Sequence, residues 1–137
     1  MLVFDTDVVS FALRRSPPPA LLRRIAAVDP SEQAITSITA GELVYGAHRS
    51  DRAEVLLKRL DELVWPNLRV LAFDRAAAVR YGRLRAELER AGRPVSEPDL
   101  RIAAVCLSVG ATFATGNVRH FAHIPGLRVE NWLADCR

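Results

Sequence analysis

Three carboxylates far apart in the chain, Asp5, Glu42 and Asp99, set the chemical question. Asp5 ends the apolar run Leu2-Val3-Phe4 abruptly, at the C-terminal edge of an expected buried strand. Glu42 lies one helical turn beyond a second short strand. Asp99 lies in the first turn of a helix that feeds a later strand, and Thr115 and Asn117 follow that strand. Carboxylates gathered at one rim repel each other unless a cation sits between them. Oxygen donors without Cys or His favour a hard octahedral ion, Mg²⁺ or Mn²⁺. Such an ion can lower the pKa of bound water and clamp a phosphoryl oxygen, so phosphodiester hydrolysis is the natural reaction class.

The elements that must position these groups alternate between strand and helix. Leu2–Phe4, Gln33–Ser37, Leu68–Phe73, Ala111–Thr115 and Leu127–Asn131 read as strands. Helices are expected over Val8–Arg14, Pro18–Val28, from Thr39 onward, Asp51–Leu63, up to Ala91 behind an Asp74 cap, and Glu97–Val109, with a short turn at Asn117–Phe121. Gly92 and Gly110 follow two of them as stops. This order predicts one α/β domain spanning the chain, a mostly parallel sheet with helices on both faces. Ligands of such sheets gather beyond the strands' C-terminal ends, where Asp5 already stands.

Each acid also has a plainer reading. Glu42 completes Thr39-x-x-Glu42 and Asp99 completes Ser96-x-x-Asp99, both patterns of a helix capping box. Asp7 reads as an N-cap or as a residue that orients its neighbours, and Asp5 resists the capping reading because Thr6 and Asp7 are better placed to cap. Asp5-Thr6-Asp7 also imitates the Asp-x-Asp pair of haloacid-dehalogenase-type phosphatases. That chemistry wants a Lys near a later strand, whereas Lys58 falls within an amphipathic helix.

Four blocks together carry a resemblance: Phe4-Asp5-Thr6, Thr36-Ser37-Ile38-Thr39-Ala40-Gly41-Glu42-Leu43-Val44-Tyr45-Gly46, Asp99-Leu100-Arg101-Ile102-Ala103-Ala104 and Ala114-Thr115-Gly116-Asn117-Val118-Arg119-His120-Phe121. The chain resembles PIN-domain ribonucleases, and among them the VapC toxins of bacterial toxin–antitoxin pairs, over essentially its whole length. The resemblance implies a three-layer α/β/α fold and RNA cleavage with Mg²⁺ or Mn²⁺. It implies a homodimer silenced by a cognate antitoxin protein. It makes Asp5, Glu42 and Asp99 the acidic site, with Asp5 and Asp99 on the metal and Glu42 on it through water or taking a proton. It gives Thr115 the task of orienting groups around Asp5; Asn117 can donate an oxygen or bind substrate, and Arg119 is a phosphate-contact candidate at the groove's rim. The fourth block departs from the family: neither Asn117 nor His120 is acidic, and Gly116 stands where Arg is common. A single metal ion is the expectation. His120 reads either as a group near the scissile phosphate or as an exposed helix-end residue. A non-catalytic PIN-fold binding module is the alternative that the missing fourth acid raises.

Composition sets the limits. Of 137 residues, 50% are hydrophobic and 26% charged, the profile of an ordinary globular protein. Nineteen basic residues against sixteen acidic ones leave +3, and Lys58 is the single Lys. Arginine suits phosphate contacts and allows a nucleic-acid partner, although a GC-rich genome writes the same bias. Arg14, Arg15, Arg23 and Arg24 could extend a basic track, with solvated surface as the simpler reading. Cys106 and Cys136 lack metal-type spacing and fit a reducing compartment. No stretch approaches the ~20 apolar residues of a membrane span. A cytoplasmic location is expected.

Overall fold

Period-two alternation in short apolar runs builds the middle of the protein. The computed structural model describes residues 1–136. Its strands are β1 (Leu2–Phe4), β2 (Gln33–Thr36), β3 (Arg69–Leu71), β4 (Thr112–Thr115) and β5 (Arg128–Asn131). They form one sheet in the order β3-β2-β1-β4-β5, every neighbouring pair parallel. Val3 stands opposite Ala34 on one side and Phe113 on the other. Leu2, Phe4, Ile35 and Ala114 belong to the core on one face, and Val3, Ala34 and Phe113 to the core on the other.

Helices cover both faces. The first core takes its helical side chains from α1 (Thr6–Ala12), α2 (Pro19–Ala26), α3 (Ser37–Arg49) and α4 (Ala53–Arg59), through Val8, Leu21, Leu43 and Leu56. The second takes them from α5 (Arg75–Arg90), α6 (Glu97–Val109) and α7 (Val118–Phe121), through Leu84, Ile102 and Phe121. Phe113 and Phe121 meet edge to face, with ring centroids 4.7 Å apart. Each fully buried side chain of this size contributes about 1.5–3 kcal/mol. Cys106 is completely buried in the second core. Among the described residues, no helix is long and apolar enough to cross a membrane.

Several boundaries differ from the sequence reading, each for a local reason. The first helix starts at Thr6 because the Asp5 carboxylate accepts the Thr6 N–H at 2.7 Å. The third starts at Ser37, not Thr39: the buried Thr36 hydroxyl accepts the Thr39 N–H at 3.1 Å, so Thr36 is the cap. The expected Asp51–Leu63 helix is α-helical only over Ala53–Arg59. Leu60–Val64 then widens into a π turn that tucks Leu60 and Val64 into the core. The third strand spans three residues rather than six and lies at the sheet's edge.

Strand order fixes where a ligand belongs. From β1 the chain steps outward through β2 and β3, then returns to β1's other side for β4 and β5. The helices that follow β1 and β4, α1 and α7, lie on opposite faces. A crevice therefore opens between the C-terminal ends of β1 and β4, the position favoured for ligands in open parallel sheets.

Candidate active site

Asp5 leaves β1 directly into that crevice. Its backbone N–H donates to Ala114 O at 2.8 Å, which extends the β1–β4 ladder to the acid itself. Its Oδ1 accepts the Thr6 N–H, and its Oδ2 accepts the Thr115 hydroxyl at 2.7 Å. Thr115 is fully buried, and its Oγ1 also accepts the Asn117 N–H at 3.0 Å. One hydroxyl thus ties the carboxylate after β1 to the turn after β4. Burial pushes the Asp5 carboxyl up to about 6, and the charges of Asp7 and Asp99 push the same way, against the pull of the Thr115 and Thr6 bonds. Burial also pushes the Cys106 thiol up to about 12, with the Asp5 charge adding to it, so that thiol is inert.

Asp7 is not the cap of α1, since Asp5 holds that position. Its Oδ2 instead accepts the Gly116 N–H at 3.0 Å and pins the turn after β4. Gly116 is glycine for want of room: a Cβ there would stand 2.6 Å from Leu133 Cδ1 and 3.0 Å from the Asp7 carboxylate. The Arg that the resemblance leads one to expect here would meet the same crowding.

Glu42 reaches the rim from α3 and is exposed. It closes no capping box. Its Oε1 accepts the Thr6 hydroxyl at 2.8 Å, and Thr6 Oγ1 lies 3.5 Å from the buried Thr39 hydroxyl. Asp99 stands in the first turn of α6, partly exposed, where Ser96 occupies the cap position without a side-chain bond. Asp99 Oδ2 lies 3.8 Å from His120 Nδ1. His120, Arg119 and Asn117 are all exposed on α7 or just before it. Asp7 and Asp99 are thus each near enough for Asp5 to feel their charge, while Glu42 adjoins Asp5 through Thr6. Among the described residues, no three carboxylate, imidazole or thiol groups come close enough to enclose a metal ion by themselves. Water or substrate oxygens must complete any coordination sphere.

Sequence reasoning missed two clamps, Asp7 on Gly116 and Thr6 on Glu42. The acidic triplet Asp5-Thr6-Asp7 was visible, but nothing in it named a partner more than a hundred residues away.

The PIN domain family model matches residues 2–127. The chain belongs to the PIN-domain family. This PIN domain is 37% identical to the tRNA(fMet)-specific endonuclease VapC of Shigella flexneri over 130 residues, 95% of this chain and 96% of that protein. It is 30% identical to the ribonuclease VapC2 of Haemophilus influenzae, covering 96% and 97% of the two chains. Among solved structures, the DNA-bound VapBC of Salmonella typhimurium superposes with a TM-score of 0.87 at 37% identity, over 96% of this chain and 97% of that one. FitAcB of Neisseria gonorrhoeae gives 0.89 at 26% identity, over 98% and 99%. These relatives place the PIN domain in the VapC branch and remove the haloacid-dehalogenase reading of Asp5-Thr6-Asp7.

Proposed function

We propose that this protein is an endoribonuclease, the toxin of a toxin–antitoxin pair, which hydrolyses RNA phosphodiester bonds with a divalent cation and is held inactive by a cognate antitoxin protein. The relatives' names and the VapBC complexes among its structural neighbours support the activity and the partner. The single observation that carries the chemistry is Asp5, a largely buried carboxylate at the end of β1, joined to β4 through its own N–H on Ala114 and through the Thr115 hydroxyl.

The residues fit a divalent cation. Burial and like charge make the Asp5 anion costly, and a cation there removes that cost. The donors are oxygens, and Mg²⁺ keeps several waters when only one or two carboxylates hold it. Asp5 and Asp99 would hold the ion, with Glu42 reaching it through water. When bound, the ion supplies a water of lowered pKa and charge stabilisation at the phosphoryl oxygens. Thr115 fixes the Asp5 carboxylate, so its free lone pairs face the crevice in one orientation. Thr6 holds Glu42 by Oε1, which leaves Oε2 to orient a water or take its proton. Asn117 and Arg119, exposed beyond β4, would meet the substrate's backbone. Exposed Tyr45, Val70 and Val79 are apolar surface that a homodimer would cover, a state that light scattering tests.

Purified protein should cleave RNA when Mg²⁺ or Mn²⁺ is added and lose that cleavage in Asp5→Asn and Asp99→Asn. Full cleavage by either variant removes the proposal. Metal-independent binding of RNA without cleavage by the parent protein would favour the non-catalytic module instead.

A further inference from the structure

A cleft of about 490 Å³ runs away from the acids between α1 and the α3–α4 pair. Thr6 and Glu42 stand at its acidic end. Arg14, Arg15, Arg52 and Arg59 line the rest. Two of these, Arg52 and Arg59, come from a helix that gave no hint of phosphate binding in the sequence. Four arginines elsewhere, Arg24, Arg83, Arg85 and Arg101, each have a carboxylate within 4.0 Å. Among the described residues, no carboxylate pairs with any of the four cleft arginines. Arg59 is engaged otherwise, donating to Leu13 O at 2.9 Å and tying α4 to the end of α1. Arg14 lies over the Phe11 ring at 3.5 Å, and Arg14, Arg15 and Arg52 are exposed.

The floor is apolar, with Leu13, Leu43 and Leu56 among its residues, and Gly46 opens it. A Cβ at Gly46 would meet nothing within 4 Å. A mid-helix glycine weakens a helix, and here no neighbouring atom demands it. Its effect is to keep the cleft floor low. A channel with unpaired guanidinium groups on its walls and apolar surface beneath suits a single-stranded polyanion, phosphates on the arginines and sugar or base faces on the floor.

We propose that this cleft is the track for the RNA strand on one side of the scissile phosphate, with Arg14, Arg15 and Arg52 on its backbone phosphates and Gly46 admitting the nucleotide nearest Glu42. This rests on the ribonuclease reading for its substrate. Four arginines on the walls of one cleft favour RNA, whose phosphates recur at every nucleotide, and a protein segment in the cleft is the other outcome of the test.

The test is fluorescence anisotropy of a labelled single-stranded RNA in EDTA, where no cleavage intervenes, across a salt series. The Arg14→Gln/Arg15→Gln/Arg52→Gln variant should bind at least tenfold more weakly at low salt. Its slope of log K against log salt should be shallower by about 2, the value for three lost contacts on a single strand. Arg59 is left intact because it holds the cleft's walls together. Gly46→Leu, which changes no charge, should weaken binding at every salt concentration and leave the slope as it was. Parental affinity and slope in the triple variant, with parental circular dichroism, overturn the track. Parental RNA binding combined with lost affinity for the cognate antitoxin overturns it too and gives the cleft to the protein partner. Parent protein that binds RNA with the predicted slope but never cuts it, with Mg²⁺ or Mn²⁺ present, refutes the ribonuclease reading while the variants still decide the track. No RNA binding by the parent protein refutes both.

Discussion

Asp5→Asn should make the metal-free protein more stable at neutral pH while it abolishes cleavage. Burial, and then the charges of Asp7 and Asp99, raise the Asp5 carboxyl from an ordinary 3.8 to about 6. A raised carboxyl in the folded state means stability that is fully present below about pH 4 and lost as pH climbs through about 6. The loss approaches about 3 kcal/mol at pH 7.5 and is only about 1 kcal/mol at pH 4.5. Asn removes this cost at both pH values. It also spoils one bond, since an amide NH₂ facing Thr115 can only donate and leaves the Thr115 O–H without the acceptor that Asp5 gave it. That defect costs about 1 kcal/mol. The variant should therefore be about 2 kcal/mol more stable at pH 7.5 and level with the parent near pH 4.5. In melting temperature that is a gain of roughly 8 °C at pH 7.5, at about 4 °C per kcal/mol for a chain this long. Thermal unfolding followed by circular dichroism in EDTA at the two pH values reads it directly. Adding Mn²⁺ at pH 7.5 should then raise the parent's melting temperature and leave the variant's unchanged. A melting difference that is the same at both pH values refutes the burial cost assigned to Asp5.

Three further substitutions probe the same architecture. Thr115→Val removes the hydroxyl that holds Asp5 and receives Asn117. Denaturant unfolding should show a loss of about 2 kcal/mol, and NMR titration should place Asp5 higher than in the parent, because the lost bond favoured its charged form. Gly116→Ala pushes a methyl against Leu133 and the Asp7 carboxylate. It should cost about 1–3 kcal/mol by overpacking and disturb the amide resonance of residue 116, where a parental spectrum would contradict the crowding. Gly46→Ala meets open space in α3. It should add up to about 1 kcal/mol of stability by helix propensity, so a destabilised variant would show that the cleft floor is not free.

The sequence carried the sheet and the acids but not the ties between them. Leu2-Val3-Phe4 and Ala111–Thr115 announced buried strands through their apolar runs, and the alternation of strands and helices implied parallel pairing. The carboxylates were legible because each ended or followed such a run. Capping patterns misled at Thr39 and Ser96: a hydroxyl three residues before an acid fits the box in sequence, but Thr36 takes the first and Ser96 makes no side-chain bond. Asp7 with Gly116 and Thr6 with Glu42 are long-range pairs, invisible to any local period. The π turn after Arg59 is likewise set by packing: a regular helix and a widened one share the same spacing of Leu56, Leu60 and Val64.

The bond between Thr115 and Asp5 spans 110 residues and joins the first strand made to the fourth. During synthesis the acid is made well before its hydroxyl tether, which follows 110 residues later. Until then β1 lacks one of its two neighbours, and the crevice has a single wall. A chain that stops before β4 lacks both the hydroxyl that fixes Asp5 and the second wall of the crevice. The first acid of the site is therefore fixed in place only after the fourth strand has been made.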